Sequence, residues 1–232
     1  MAKKRKIKIS RKQLLNEPDE FITFSSKLLK YIIDHKIQIT TAMSVIFLIL
    51  VAFSGWRYFV NKAENKASIS LDRNITRYES IKVKEGASKA YLEVEKDFQL
   101  FLKKYSGRNG GKLARIFFAN ICYHAGKLDE AIALYKKSLG DFKGKPFIKN
   151  LILNSLGYVY EKKKDYSGAL QYFEMAAQGP QSDLKNEAWY NIGRLYSLKG
   201  DKEKSLEAYN KIVSDFENSI YFDLVKEKLA YL

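Results

Sequence analysis

The longest apolar run in the chain is Ile37–Trp56, 20 residues without one formal charge. The hydrocarbon core of a bilayer is about 30 Å thick, and about 20 helical residues cross it. A single segment in lipid must satisfy its own backbone hydrogen bonds, which a helix does. Trp56, Tyr58 and Phe59 cluster at one end, where amphipathic rings favour the membrane–water interface. The pattern predicts a transmembrane helix over residues 37–60; the alternative is a buried helix of a soluble protein.

The segment before this run has the pattern of an amphipathic helix. Asn16–Glu20 combines a polar cap, an early proline and acids, which is typical of a helix start. Apolar side chains then recur at helical spacing, on the side opposite Lys27, Lys30 and Asp34: Phe21, Phe24, Leu28 and Ile32. The pattern predicts a juxtamembrane helix over residues 16–36 that lies at the cytoplasmic membrane surface. A solvated helix without membrane contact is the alternative.

The net charge of +15 is unevenly distributed. Residues 1–36 hold ten lysines and arginines against four acids, mostly in the basic tail over residues 1–15. Short basic segments stay in the cytoplasm, whereas long domains translocate largely regardless of charge. We therefore expect a single-pass protein of the bacterial inner membrane, with its N-terminus in the cytoplasm and its C-terminal domain in the periplasm. Nucleic-acid binding by the tail and a cleaved signal peptide are the alternatives.

Beyond residue 60 the clear patterns are helical, and one pattern repeats. Three sets of residues share sequence steps of 3, 9 and 4, at intervals of 38 and 36 residues. A small residue on each of two antiparallel helices allows close approach, and aromatic residues fill the space beside the crossing. The sets are Ala119, Cys122, Ala131 and Tyr135; Gly157, Tyr160, Ala169 and Phe173; and Gly193, Tyr196, Ser205 and Tyr209.

Turn residues support this pairing of helices. Gly126 and Gly200 stand where a helix end requires a left-handed residue. Asp165 and Asp201 can cap the second helices of their pairs. The remaining cap positions hold residues that suit them less well: Lys127 and Lys164.

The segment Trp189–Tyr196, with Ser205 and Tyr209, resembles a tetratricopeptide repeat. The resemblance implies an all-α fold, a helical-repeat solenoid after the transmembrane helix. The repeats fall at about 112–145, 150–183 and 186–219, within an extracytoplasmic domain over residues 61–232. An incomplete unit with Val94, Phe98 and Phe101 precedes them, and residues 219–232 form a capping helix.

The layout also resembles one family, the YfgM-like ancillary subunits of the bacterial Sec translocon. An acidic-start amphipathic helix, Gly55–Phe59 at the end of the apolar run, a helix rich in Ala and Ser, and the repeats carry this resemblance. It implies a membrane-anchored adaptor that binds proteins of the cell envelope, such as the Sec translocon and periplasmic chaperones. The alternative is a scaffold for another envelope assembly, such as cell division or a secretion apparatus.

Helix geometry predicts which side chains face the inner surface of the repeats. Polar and aromatic groups on such a surface suit an extended peptide or a partner helix, so we predict protein binding there; simple solvation of this face is the alternative. The predicted groove residues are Asn120, Tyr123, His124, Asn154, Tyr158, Glu161, Lys162, Tyr190 and Arg194.

The sequence offers little for catalysis or for cofactors. Cys122 is the single cysteine, and we expect it to pack as a small hydrophobic residue. His35 and His124 lie on opposite sides of the predicted membrane segment and cannot share a metal. No nucleophile–base pair and no phosphate-binding glycine loop stands out. We therefore expect no enzyme activity, no cofactor, no metal and no small-molecule substrate.

Overall fold

The computed structural model describes residues 20–179 and 184–231, with side chains from residue 24 onward. The basic tail over residues 1–15 and the predicted helix start at Asn16–Asp19 therefore lie outside the described residues, as does the side chain of Phe21. In the described part, all regular elements are α-helices, which confirms the all-α prediction. The helices are α1 (Glu20–Asp34), α2 (Lys36–Glu85), α3 (Ala87–Tyr105), α4 (Asn109–His124), α5 (Leu128–Asp141), α6 (Pro146–Lys162), α7 (Tyr166–Ala177), α8 (Lys185–Leu198), α9 (Lys202–Asp215) and α10 (Phe222–Leu229).

The chain divides into two compact units, Met1–Asn61 and Lys62–Leu232. In the first unit, α1 is an amphipathic helix whose described side chains, Phe24 to Asp34, are exposed. Among the described residues, α2 is the helix that is long and apolar enough to cross a membrane, by length and composition alone. Its most apolar window has a mean hydropathy of 2.1 and no buried residue.

Helix α2 extends beyond the predicted membrane segment. The predicted end at residue 60 falls inside the helix, which continues to Glu85. No proline or glycine interrupts the chain between Trp56 and Glu85, so nothing there stops the helix. The helix ends at Gly86, whose φ of 83° lies in a region that favours glycine.

The second unit is a series of antiparallel helix pairs. The largest contacts lie within the pairs α4–α5, α6–α7 and α8–α9, and α10 covers α9. The incomplete unit joins this series through α3, where Phe98 stacks on Phe118 with ring centroids 5.1 Å apart. The first helices of successive pairs also touch, α4 against α6 and α6 against α8. These three helices line one surface, which we call the inner face.

The predicted helix crossings are confirmed. A Cβ atom on Gly157 would lie 2.6 Å from the ring of Phe173, and one on Gly193 would lie 2.5 Å from the ring of Tyr209. Both rings are buried. The other small residues predicted at the crossings are fully buried as well: Ala119 on a first helix, and Ala131, Ala169 and Ser205 on the second helices. Cys122 is also fully buried, as expected.

The turns within the pairs follow the sequence signals. Gly126 and Gly200 adopt φ values of 79° and 77°. Lys164 takes the same left-handed conformation in the middle pair, at φ 63°, where a non-glycine residue is strained. Asp165 accepts a hydrogen bond from the Gly168 backbone N–H at 2.9 Å, and the corresponding aspartate of the next repeat caps α9 likewise.

Candidate functional site

The inner face has an apolar half and a polar half. On α4, residues 113, 117, 120 and 124 are spaced by about one turn and so lie on one side of the helix. Leu113 and Phe117 are exposed in the first half of this stripe. On α6, Leu151 corresponds to Leu113 at the 38-residue interval and is exposed, as is Phe147 one turn before it. The second halves of both helices carry the predicted polar residues. A partner on this face therefore meets apolar and polar surface side by side.

A cavity opens between α2 and α4. Its volume is about 350 Å³, a size that admits one or two side chains of a partner. Ile75, Phe117 and Ile121 provide apolar walls, and Glu79 and Lys82 provide charge. Tyr78 and two of the predicted groove residues, Asn120 and His124, complete the lining. The combination of apolar walls and few polar groups is typical of a pocket that anchors a ligand.

His124 lies near charged groups of both signs, the cations of Lys82 and Lys162 and the carboxylate of Glu79. Its ring packs against Tyr123, with centroids 5.2 Å apart. Partial burial, followed by the charges of Lys82 and Lys162, lowers the pKa of His124 below its ordinary value of 6.5. Lys162 lies over the Tyr123 ring at 4.5 Å and donates a hydrogen bond to the Tyr123 carbonyl at 2.9 Å. This end of the inner face therefore presents the cations of Lys82 and Lys162 beside the imidazole ring.

Tyr158 is the centre of a hydrogen-bond network between α6 and α8. Its hydroxyl donates to Glu187 at 2.7 Å and accepts from the Asn191 amide at 2.8 Å. Burial, and then the nearby Glu187 carboxylate, raise the pKa of Tyr158. The ring meets Phe173 edge to face. The residue predicted to bind partners thus already joins two repeats.

Arg194 continues the same network. Its guanidinium donates two hydrogen bonds of 2.6 Å to Glu161, in the bidentate geometry that makes charged pairs strong. A third bond of 2.9 Å reaches the Asn191 side-chain oxygen. The hydrogen bonds to Glu161 raise the pKa of Arg194. The structure brings Tyr158, Glu161 and Arg194 together, with each polar head already paired inside the protein.

The remaining predicted groove residues differ in exposure. Asn154 is buried, and its amide donates to the Leu184 carbonyl at 3.1 Å, so its prediction as an open groove residue is corrected. The backbone at Leu184, where the chain enters α8, contacts this side chain. Asn120 accepts a hydrogen bond from Tyr135. Tyr190 stacks on Tyr221 at 4.7 Å, which draws it toward the end of the repeat series.

Sequence reasoning missed the apolar half of the inner face. Leu113 and Phe117 precede Asn120 and His124 at helical spacing, so the same face geometry contained the signal. The α2 wall of the cavity had no such signal, since residues 62–85 lack the small-residue pattern of the repeats.

The described residues hold no group of three or more His, Cys, Asp or Glu side chains that could bind a metal ion. Tyr158, Asn191, Glu161 and Arg194 are paired with one another through hydrogen bonds. The arrangement is suited to binding by shape, apolar contact and charge.

Comparison with known proteins agrees with this geometry. The family model described as "Tetratricopeptide repeat-like domain" matches residues 31–232. A tetratricopeptide repeat protein from Parabacteroides merdae is similar in structure, with a TM-score of 0.52 and 20% identity, over 68% of this chain and 57% of that one. BtubC from P. vanneervenii is similar with a TM-score of 0.51 and 15% identity, over 68% and 74%. No curated protein matches the sequence significantly.

Proposed function

Because the chain belongs to the tetratricopeptide repeat-like family, we propose that it is a membrane-anchored adaptor that binds proteins on the inner face of its repeats. The fold supports a protein-binding scaffold. The inner face supports the location of binding, because it combines exposed apolar side chains with a cavity of about 350 Å³. The two findings together favour a binding module over an enzyme.

The anchor in this proposal is the apolar part of α2. Its charge-free stretch is long enough to cross a membrane, and none of the side chains in that stretch is buried. A core helix of a soluble protein would be mostly buried. The basic tail and the length of the following domain favour a cytoplasmic N-terminus and a periplasmic repeat domain in a bacterial inner membrane.

The proposed partners are proteins or peptides of the cell envelope. The apolar half of the inner face fits one side of an amphipathic helix or alternate residues of an extended chain. Exported chains and periplasmic chaperones at the Sec translocon offer such segments, and the resemblance to YfgM-like subunits supports this choice. A scaffold for cell division or for a secretion apparatus is the second candidate, since the same surface also fits a folded partner's helix.

Site-specific cross-linking in living cells tests the proposal. A photoreactive amino acid replaces Phe117 or Leu151 on the inner face, and Gln171 or Lys211 on the exposed sides of α7 and α9 serves as the control. We expect the two inner-face positions to cross-link to the same proteins, and the control positions to give none of them. Equal cross-linking from all four positions would exclude the inner face as the binding surface.

Mass spectrometry of the cross-linked proteins separates the two candidates. Translocon subunits, exported chains or chaperones support the first, and subunits of one other envelope machine support the second.

A further inference from the structure

One edge of the second unit carries a concentration of positive charge. It is formed by the connection from α3 to α4 and the connection from α5 to α6, each with the helix turn beside it. We call these six residues the basic edge: Lys103, Lys104, Arg108, Lys112, Lys143 and Lys145. All six are exposed or half-buried.

A buried ion pair ties the two connections together. Arg115 lies on α4, one turn after Lys112, and pairs with Asp141 at the end of α5. Because the Arg115 side chain is only 4% exposed, this pair holds the end of α5 against α4. The cations of the two connections therefore form one surface.

The acids beside the basic edge are already engaged. Glu64 accepts hydrogen bonds from the backbone N–H groups of Asn109 and Gly110, at 3.2 and 3.3 Å, and lies 4.0 Å from Arg108. Asp141 is held by Arg115. Within the described part of the chain, no carboxylate lies within 4.0 Å of the four exposed lysines, Lys103, Lys104, Lys143 and Lys145.

The positive charge is local rather than general. The later connections of the same series carry acids instead: Glu187, Asp215 and Glu217 line a cavity of about 790 Å³ beside α8 and the α9–α10 connection. The net positive charge of the chain does not by itself place cations at the early connections and acids at the later ones. Cations are therefore concentrated at the basic edge, whereas acids line the cavity beside the last connections.

We propose that the basic edge binds anionic phospholipid headgroups, an inference that rests on the proposed membrane anchor. Glu64, which contacts Arg108, is only five residues after Phe59 in the sequence. Five residues span at most about 18 Å even when fully extended, so the chain itself keeps Glu64, and Arg108 beside it, near the end of the anchor. Lysines attract anionic headgroups within about a Debye length of the surface, and an arginine can bind a phosphate with two hydrogen bonds.

Lysine acetylation of the full-length protein in vesicles tests this proposal. The protein is reconstituted into neutral phosphatidylcholine vesicles, and into vesicles that also contain phosphatidylglycerol. Mass spectrometry then compares the acetylation rate of each lysine. Each lysine of the basic edge should be acetylated more slowly in the anionic vesicles, on the order of fivefold, because attraction to the anionic surface stabilises the bound lysine by about 1 kcal/mol. High salt should abolish the difference. Lys199 and Lys226, exposed elsewhere, should react alike in both vesicles.

A variant separates the edge from the overall charge of the domain. With Lys103, Lys104, Lys143 and Lys145 changed to Gln, the protection of Lys112 by anionic lipid should disappear. A control variant loses the same number of charges elsewhere and should keep that protection; its changes to Gln are at Lys199, Lys211, Lys226 and Lys228.

Three results would overturn the proposal. Equal acetylation in both vesicles, with the protein resistant to carbonate extraction, would reject lipid binding and leave the anchor intact. Carbonate extraction of the protein would reject the anchor and the lipid proposal with it. Protection by inorganic phosphate or by a DNA duplex in neutral vesicles would instead assign the edge to a soluble anion or to nucleic acid.

Discussion

Gly157→Ala should destabilise the repeat domain although alanine favours helices. The new Cβ would lie 2.6 Å from Cε1 and Cζ of Phe173 and 2.8 Å from Cδ1, whereas carbon atoms in contact prefer about 3.5–4.0 Å. The ring cannot retreat easily, because Phe173 is fully buried and Tyr158 packs edge to face against it. Overpacking of this kind costs about 1–3 kcal/mol. Alanine stabilises a helix by about 1 kcal/mol relative to glycine, so the net loss in the free energy of unfolding should be about 0–2 kcal/mol.

Gly140→Ala is the matched control. Gly140 lies in α5 and is exposed, and a Cβ atom added to it would meet no other atom within 4 Å. The same chemical change there should stabilise by up to about 1 kcal/mol. The difference between the two variants isolates the overpacking cost of about 1–3 kcal/mol. That difference corresponds to about 2–12 °C in Tm for a domain of this size.

Thermal unfolding of the full-length protein in detergent, followed by far-ultraviolet circular dichroism, measures the difference. A second measurement adds Phe173→Leu, which shortens the ring. The double variant should be more stable than the sum of the two single changes by about 0.5–3 kcal/mol. Equal Tm shifts for Gly157→Ala and Gly140→Ala would refute the close helix crossing and the repeat alignment that predicts it.

Three further predictions concern the polar residues. Glu161→Gln breaks the bidentate pair with Arg194 and should lower the free energy of unfolding in urea by about 1–3 kcal/mol. Lys163→Met, at the exposed pair with Asp129, should lower it by only about 0–1 kcal/mol, and equal losses in the two variants would contradict the network. The pKa of His124, measured by NMR, should lie below 6.5 and should rise in Lys82→Gln. Because the pKa is lower in the folded state, the contribution of neutral His124 to the free energy of unfolding is lost as pH falls below 6.5. A pKa at or above 6.5 would contradict this prediction. Burial raises the pKa of the Cys122 thiol, so it should resist alkylation in the native protein and react only on unfolding, and rapid native labelling would contradict its place in the core.

The helix crossings could be predicted from sequence because they depend on local chemistry. Gly157 and Gly193 admit an aromatic ring only because they lack a side chain, and the recurring steps of 3, 9 and 4 made this visible. Gly126 and Gly200 marked the turns for an equally local reason, their positive φ. Such features need no knowledge of how one repeat rests on the next.

The network of the inner face could not be predicted in the same way. Whether Arg194 meets Glu161 or a partner depends on the rotation between α6 and α8, which no single repeat encodes. Asn154 shows the same limit, because the chain entering α8 buries it. Helix geometry placed the predicted residues along α4, α6 and α8, but pairing across repeats decided which of their side chains remain open.

This pairing changes how the inner face can be tested by mutation. Removal of Tyr158 and Arg194 together would break the contacts between two repeats as well as any contact with a partner. A loss of binding in that variant would therefore have two explanations. Phe117 and Leu151 are better positions, because their side chains are exposed and belong to no described polar network.

Protease protection in spheroplasts tests the central claim, a membrane-anchored repeat domain outside the cytoplasm, most directly. The protein carries an N-terminal tag, and protease is added to intact and to lysed spheroplasts. We expect protease to remove the domain over residues 62–232 from intact spheroplasts and to leave a protected fragment that holds the tag and residues 1–60. A repeat domain that resists protease in intact spheroplasts, and is digested only after lysis, would contradict it.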